Sequence, residues 1–195
     1  RYNKLKRTFE ALNTQTEETK AEMAHLQTIQ AALAIAESED DLAQIRDELE
    51  TYGYIRRKMN GKKKQKSKSK PFHYRSSDGF DIYVGKNNFQ NDELTFKMAT
   101  GNDWWFHAKK MAGSHVIVKT PDGEIPDRTF EEAGRLAAYY SKGRYSSSVP
   151  VNYCPIRNLK RVPGAKPGFV SLTSYKTIYI DPEEAVMDSL LKENQ

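Results

Sequence analysis

The sequence has no apolar run long enough to cross a membrane, and it has a single cysteine. A transmembrane helix needs roughly 20 consecutive apolar residues, and no stretch of this sequence approaches that length. The first residues, Arg1 to Lys4, also lack the apolar core of a secretory signal. With Cys154 alone, neither an intrachain disulfide nor a cysteine-cluster zinc site can form, which is typical of a reducing compartment. We therefore expect no membrane insertion and a cytoplasmic location.

Positive charge is concentrated in one short segment of the chain. Residues 1–50 contain 6 Lys or Arg and 11 Asp or Glu, whereas residues 51–75 contain ten bases and no acid. The remaining 120 residues contain 15 charges of each sign. The formal net charge of +5 therefore arises from residues 51–75, which lie between an acidic region and a neutral one.

Proline and glycine are absent from residues 1–52, where apolar residues repeat every seven positions. The two heptad positions are occupied by Leu5, Leu12, Thr19, Leu26 and Leu33, and by Tyr2, Phe9, Thr16, Met23 and Gln30. This pattern predicts a helix about 50 Å long that forms a coiled coil. The alternative is an amphipathic helix packed on the globular domain. In isolation, two copies of the arm could pair as a homodimer.

A second helix is predicted to begin after Ser38. Ser38 followed three residues later by Asp41 resembles a capping box, in which each side chain satisfies a free backbone amide. The apolar residues that follow keep helical spacing; they are Leu42, Ile45, Leu49 and Tyr52. We expect an angled helix pair over residues 1–55. Because the sequence begins inside the heptad pattern, we also expect an upstream helix of a longer protein to complete the coiled coil.

Residues 56–70 are too rich in charge and too poor in apolar side chains to form a core, so we predict a flexible linker. Lysine at this density favours a polyanion, because each neutralised phosphate releases a counterion. The alternatives are a solubilising hinge or attraction to an anionic membrane, although no apolar anchor accompanies the charges. The candidate RNA contacts in this segment are Arg56, Arg57, Lys58, Lys62, Lys63, Lys64 and Lys66.

From Pro71 onward, aromatic and β-branched residues alternate between turn residues, which predicts a β-hairpin at 72–75 and 80–84. Further strands are predicted at 104–108, 115–119, 151–155, 169–172 and 177–180, and helices at 92–99, at 129–142 and after Pro182. The predicted fold class is α+β. A long N-terminal helical arm is followed by a compact mixed domain, residues 71–195, with a central and largely antiparallel sheet.

Residues 85–92 place a lysine and several amide or carboxylate side chains between a strand and a helix. The backbone amides and the lysine could hold a phosphate, and the amide side chains could read a base edge. The alternative is a turn in which Asn91 or Asp92 caps the helix. The Gly spacing and the Gly-Lys-Ser/Thr of a P-loop are missing. The candidate RNA contacts here are Lys86, Asn87, Asn88, Gln90 and Asn91.

Residues 102–107 and 113–115 bring both tryptophans and two histidines into neighbouring predicted strands. Two histidines and one carboxylate could orient a water or hold a metal, but their spacing matches no closed zinc site. A hydrolase is a weaker alternative, and it would use Asp103, His107, Ser114 and His115. Such residues are more often buried and hydrogen-bonded, although an exposed Trp or His could stack on a base. We predict no catalytic residue, metal site or cofactor.

A third segment, residues 158–168, is predicted to be a loop with three positive charges spaced by turn residues. Phosphate contact is one interpretation, and a solvated loop is the other. The candidate RNA contacts in this loop are Lys160, Arg161 and Lys166.

The order of these motifs resembles the C-terminal part of the NFACT family, which includes bacterial RqcH, eukaryotic NEMF and proteins called fibronectin-binding protein A. The resemblance extends from the coiled-coil arm through the NFACT-R domain. It rests on Arg-Ser-Ser-Asp-Gly-Phe, Val-Gly-Lys-Asn-Asn, Gln-Asn-Asp-Glu-Leu-Thr-Phe-Lys, Asp-x-Trp-Phe-His, Gly-Ser-His-Val-Ile and Pro-Gly-Ala-Lys-Pro-Gly. Besides the candidates in the polar turn, the family pattern falls on Gly85, Asp92, Asp103, Trp105, His107, Gly113, Ser114 and His115.

The resemblance implies a role in ribosome-associated quality control. The family binds the large ribosomal subunit that carries an obstructed nascent chain, and it recruits tRNA for template-free C-terminal tailing, with alanine in bacteria. The implied partners are rRNA and tRNA, and the peptidyl transfer belongs to the ribosome, so we do not expect an enzyme. The alternative is an anchorless surface adhesin that binds fibronectin. Both functions would use the same basic segment.

Overall fold

The structure, a computed structural model, describes residues 1–56, 69–182 and 190–192. Helix α1 spans Tyr2–Ile35 and helix α2 spans Glu39–Thr51. The predicted capping box is confirmed, because Ser38 Oγ accepts a hydrogen bond from the Asp41 N–H and the Asp41 carboxylate accepts one from the Ser38 N–H. No helix in the described ranges is long and apolar enough to cross a membrane. Most of the predicted linker, residues 57–68, lies outside the described residues.

Among the described residues, only the C-terminal part of α1 packs against the rest of the protein. Its buried residues are His25, Ile29 and Ala32, and the last two pack on Ile45 of α2. The large apolar residues of the predicted heptad pattern are exposed; they are Tyr2, Leu5, Phe9, Leu12, Met23, Leu26 and Leu33. These seven residues form what we call the heptad seam. The seam is uncovered in the described part of the chain, so the coiled coil stays a prediction.

In the part of the chain that the structure describes, nine strands follow the arm. They are β1 (Phe72–Arg75), β2 (Asp81–Val84), β3 (Trp104–Ala108), β4 (Val116–Val118), β5 (Val149–Pro155), β6 (Leu159–Arg161), β7 (Val170–Leu172), β8 (Lys176–Ile180) and β9 (Leu191–Lys192). Seven strands form one sheet in the order β8-β5-β3-β4-β2-β1-β9, while β6 and β7 form a separate hairpin. Neighbouring strands pair antiparallel throughout. The predicted fold, a helical arm followed by a domain with a largely antiparallel sheet, is confirmed.

Successive side chains of a strand point to opposite sides of a sheet. Both faces of this sheet are covered by other parts of the chain. On one face, Phe106 of β3 packs in a cluster with Leu136 of α4, the helix that spans Asp127–Tyr139. On the other face, Trp105 packs with Leu94 and with Leu159 of β6. The β6–β7 hairpin packs on the face that contains Trp105, whereas Ile35 at the end of α1 packs against the cluster on the other face.

Two predictions of local structure were wrong. The helix predicted at 92–99 begins earlier, as α3 (Asn88–Glu93), and continues as a π-helical turn at Leu94–Met98. It starts there because Asn87 is the cap, with its Oδ1 accepting from the Gln90 N–H, so neither Asn91 nor Asp92 has that role. The loop predicted at 158–168 contains β6. The helix predicted after Pro182 falls mainly on residues outside the described ranges.

Candidate nucleic-acid interface

The polar turn at residues 85–92 faces the helical arm rather than solvent. Five of its side chains are at most 8% exposed; they are Lys86, Asn87, Asn88, Gln90 and Asn91. The turn is also tightly packed, since a Cβ at Gly85 would lie 2.2 Å from Asn91 Oδ1. Buried polar groups of this kind need partners, and most of the partners in this structure come from α1 and α2.

Lys86 pairs with Asp41 at the start of α2. Its Nζ lies 3.2 and 3.3 Å from the two carboxylate oxygens, and 4.5 Å from the centre of the Phe72 ring. Burial raises the pKa of Asp41, but hydrogen bonds from Ser69 and the Glu37 N–H, together with Lys86, outweigh burial and hold that pKa below its ordinary value. The Asp41 carboxylate is therefore ionised at neutral pH, and its contact with Lys86 joins the arm to the sheet.

Gln44 of α2 binds two amides of the polar turn. Its Oε1 accepts hydrogen bonds from Asn87 Nδ2 at 2.7 Å and from Gln90 Nε2 at 2.8 Å. Gln90 also donates to Ser69 Oγ and accepts from the Lys86 N–H. The amide groups that could have read a base edge are thus bonded within the chain.

A second contact joins Asn88 to both arm helices. Asn88 Nδ2 donates to Glu48 Oε1 and to Thr28 Oγ1, each at 2.7 Å. His25 Nε2 lies 2.8 Å from the same Glu48 oxygen. His25 and Glu48 are both fully buried. This arrangement fixes the crossing of α1 and α2 over the polar turn.

Lys166, from the loop between β6 and β7, closes this contact. Its Nζ lies 3.0 Å from His25 Nδ1 and donates to Tyr54 Oη at 2.7 Å. Burial lowers the pKa of His25; Glu48 opposes that shift and Lys166 adds to it, and the pKa stays below 6.5. A neutral His25 that donates from Nε2 to Glu48 and accepts at Nδ1 from Lys166 satisfies both contacts. We call this whole set the polar latch: His25, Asp41, Gln44, Glu48, Lys86, Asn87, Asn88, Gln90 and Lys166.

The proposed hydrolase residues do not converge. The Asp103 carboxylate accepts from Lys119 and from the N–H groups of Thr100 and Thr120. No hydrogen bond of the described residues joins it, or the Ser114 hydroxyl, to a histidine. His107 and His115 lie together instead, with ring centroids 5.4 Å apart. Within the described ranges, no three His, Cys, Asp or Glu side chains cluster as metal ligands.

Comparison with known proteins shows the family to which the chain belongs. Residues 70–173 match the family model of the NFACT protein RNA binding domain, and residues 1–68 match that of the NFACT N-terminal and middle domains. The chain belongs to the NFACT family. The resemblance predicted from the sequence is therefore confirmed.

Several NFACT relatives cover nearly all of this chain. The Rqc2 homolog RqcH of Streptococcus pneumoniae is 41% identical over 193 residues, and that of Bacillus subtilis is 38% identical over 194 residues. Each alignment covers 98% of this chain and 34% of the relative, so the chain spans about a third of these proteins. The structure of the C-terminal part of the fibronectin/fibrinogen-binding protein of Streptococcus suis is also similar, with a TM-score of 0.87 and 40% identity. That match covers 97% of this chain and 75% of the other.

The basic candidate residues of the chain differ in their exposure to solvent. Lys160 of β6 is exposed, and Arg56 at the end of the arm is exposed as well. Arg161 forms a bidentate ion pair with Asp92, and its guanidinium carbon lies 4.4 Å from the centre of the Phe96 ring. Arg57, Lys58, Lys62, Lys63, Lys64 and Lys66 fall outside the described residues. The exposed candidates lie near the β6–β7 hairpin and at the start of the basic segment.

The residues that the arm contributes to the polar latch were not predicted from the sequence. His25 precedes Ile29 by four residues, and Ile29 precedes Ala32 by three, which is a second helical stripe beside the heptad seam. On α2, Gln44 and Glu48 repeat at the same four-residue spacing. The available signal for these contacts was that polar residues share a helical stripe with buried apolar residues.

Proposed function

We propose that this chain is the RNA-binding module of a ribosome-associated quality control factor, which acts on the large ribosomal subunit in the cytoplasm. The observation that carries this proposal is the match of residues 70–173 to the NFACT RNA-binding domain. Relatives named as Rqc2 homologs, about 40% identical over nearly the whole chain, support it. The helical arm, fixed by the polar latch, would set the direction in which the module reaches.

Electrostatic attraction would come mainly from the basic segment, residues 56–70. The described residues that flank its centre are anchored: Tyr54, just before the segment, accepts a hydrogen bond from Lys166, and Ser69, near its end, donates one to Asp41. The arm therefore ends beside the loop of the β6–β7 hairpin, and Lys160 of that hairpin is exposed. Lysines at the density found in residues 56–70 of the sequence favour binding to RNA phosphates through counterion release, whatever the base sequence.

Within the longer protein, the module would help to hold tRNA during template-free addition of alanine to the nascent chain. The ribosome would perform peptidyl transfer, so this chain would contribute binding and orientation. The polar turn would serve the arm in this conformation, since its amides are bonded to Gln44 and Glu48. RNA contact by those amides would require the latch to open.

The test is RNA binding across a salt series. The variant replaces Lys62, Lys63, Lys64 and Lys66 with alanine, and the matched control replaces four exposed cations of the arm, Lys4, Lys6, Arg7 and Lys20. Each lost phosphate contact lowers the slope of log affinity against log salt by about 0.7 to 0.9. We expect a slope lower by about 3 in the variant and an unchanged slope in the control. Equal slopes in the two proteins would defeat the assignment.

Fibronectin binding is a second candidate function. It is favoured by the similarity in fold and sequence to the C-terminal part of the Streptococcus suis fibronectin/fibrinogen-binding protein. Purified large subunits and fibronectin should be compared side by side in the same salt series. Subunit binding that persists near physiological salt supports the ribosomal function. If only fibronectin binding persists, a surface adhesin becomes the function of this chain.

A further inference from the structure

A partly open cavity of about 370 Å³ lies between α1, the strand β3 and the segment leading into β7. Its volume falls within the roughly 300 to 1,000 Å³ that is typical of ligand pockets. Asn88 of the polar latch lies on its edge, but the contacts of the latch do not fill the cavity. The lining residues used below are Ala24, Trp105, His107, Lys110, His115 and Asn152.

One wall of the cavity is aromatic. The rings of Trp105 and His107, two residues apart on β3, are stacked with centroids 5.6 Å apart and an interplanar angle of 18°. The His115 ring stands edge-on to both, at 5.2 and 5.4 Å. His107 keeps part of its surface accessible. A flat ring of this kind is a surface on which another planar group can stack.

The aromatic wall is uncharged at neutral pH. Burial lowers the pKa of His107 to about 4 and holds the pKa of His115 well below its ordinary value. Trp105 Nε1 is buried and has no hydrogen-bond partner among the described residues. An indole N–H can only donate, so the wall contains a buried donor that lacks an acceptor.

The rest of the lining adds a second donor and a cation. Asn152 Oδ1 accepts from Thr177, which leaves Nδ2 as the free end of that amide. Lys110 lies at the rim with its side chain exposed, and its φ of 55° is in the left-handed region that side-chain-bearing residues rarely adopt. The cavity thus combines a planar neutral wall, hydrogen-bond donors and one positive charge at its edge.

We propose that this cavity binds one unpaired nucleobase, stacked on the aromatic wall, while Lys110 meets an adjacent phosphate. Each nucleobase has a π face and acceptor atoms at its edge, whereas an apolar peptide side chain has no acceptor for these donors. Sequence-tolerant recognition of single strands combines such stacking with cationic contacts to the backbone. The inference rests on the proposed function, because the base arrives as part of a bound RNA.

The test fills the cavity from the arm. Ala24→Phe places a ring in the cavity from α1, and Ala21→Phe places the same ring on the exposed surface one turn earlier. Gln27 also lines the cavity from α1, so Gln27→Phe is a second cavity-filling variant in case Ala24→Phe fails to fold. The probes are a ten-nucleotide single-stranded RNA and an abasic chain of the same length and charge.

We expect the wild-type chain and Ala21→Phe to bind the RNA about tenfold tighter than the abasic chain, which corresponds to about 1.4 kcal/mol. Ala24→Phe should bind both probes at the abasic level. The Trp105 indole N–H resonance should shift on RNA addition in Ala21→Phe and stay in place in Ala24→Phe.

Equal RNA affinity in the filled and control variants would overturn the cavity assignment and leave the proposed function intact. Failure of the wild-type chain to bind either probe would overturn the proposed function as well. If phenylalaninamide produces the same indole shift at lower concentration than the RNA, the cavity is a peptide site, and the nucleobase assignment is wrong.

Discussion

The two halves of α1 present different surfaces to their surroundings. The N-terminal half exposes heptad residues such as Leu5 and Phe9, at 64% and 65%. The C-terminal half buries His25 completely and Ile29 almost completely. The stripe with the stronger sequence pattern is uncovered, whereas a mixed polar stripe holds the arm on the domain. A periodic apolar pattern therefore identifies a face of a helix but not what covers it.

The polar contact also restricts geometry more tightly than an apolar one does. The apolar cluster at the arm is small, formed by Ile29, Ala32 and Ile45 with a few partly buried neighbours. The polar latch adds hydrogen bonds and an ion pair, whose strength depends on distance and angle and therefore on how the helices cross. Buried pairs of this type are costly when one partner is missing, so they favour a single docked arrangement.

The largest effect is expected from Asp41→Ala, which leaves the Lys86 ammonium buried without its carboxylate. Removing one partner of a buried ion pair typically costs about 3 to 5 kcal/mol. The free energy of unfolding in urea should fall by about that amount. Glu39→Ala, exposed in the first turn of the same helix, is the control and should cost under about 1 kcal/mol. Equal losses in the two variants would show that the ion pair does not hold the arm.

A smaller effect is expected from truncating the two stripes of α1. Ile29→Ala opens a gap against Ile45 and should cost about 2 to 4 kcal/mol. Leu33→Ala, on the heptad seam and 48% exposed, should cost about 1 kcal/mol or less. Urea unfolding of both variants measures the difference directly. A larger loss at Leu33 would mean that the seam, not the buried stripe, holds the arm.

The polar latch should also weaken in acid. Because the pKa of His25 is below 6.5 in the folded protein, the unfolded chain takes up this proton first as the pH falls. Stability is then lost below about pH 6.5, at up to about 1.4 kcal/mol per pH unit for that proton. The groups that face His25 are Glu22, Glu48, Tyr52, Tyr54 and Lys166.

Lys166→Met separates this proton from those of other histidines. It removes the ammonium that opposes protonation of His25, so the loss of stability with falling pH should become shallower. His107 and His115 keep their surroundings and contribute equally in both proteins. Unfolding curves for the two proteins at several pH values measure the difference. Parallel pH profiles would contradict the assigned role of Lys166.

The smallest effect is expected at the free end of the arm. Phe9→Ser changes an exposed side chain, and surface substitutions of this kind usually alter stability by less than about 0.5 kcal/mol. If two copies of the chain pair through the heptad seam, this substitution should shift the population toward monomer in sedimentation. A destabilised monomer would instead show that the N-terminal half of α1 packs on its own chain.

The fold was largely predictable because local signals were strong where the core is dense. Strand β3 follows from its aromatic run and α2 from its capping box. Strand β6 was missed because two of its three residues are exposed cations, which read as a loop. The helix start at Asn87 was missed because several neighbouring polar residues are equally good caps.

The candidate site was less predictable, since its contacts join distant parts of the sequence. The amides of the polar turn look suited to RNA because nothing nearby in the sequence pairs with them. Their partners, Gln44 and Glu48, lie about 40 residues earlier along the chain, on another helix. Local composition cannot show a pairing that only the folded arm creates.

The central claim is that the polar turn holds the arm, while the proposed RNA contacts fall on the basic segment, the β6–β7 hairpin and the cavity lined by Trp105 and His107. The most direct test follows NMR signals of the chain during titration with single-stranded RNA. The side-chain amide signals of Asn87 and Gln90, which do not line the cavity, should stay in place. The backbone amide signals of Lys160 and Phe169 and the Trp105 indole N–H signal should move. Shifts of the Asn87 and Gln90 side-chain amides at low RNA concentration, with the hairpin and indole signals unchanged, would contradict this account.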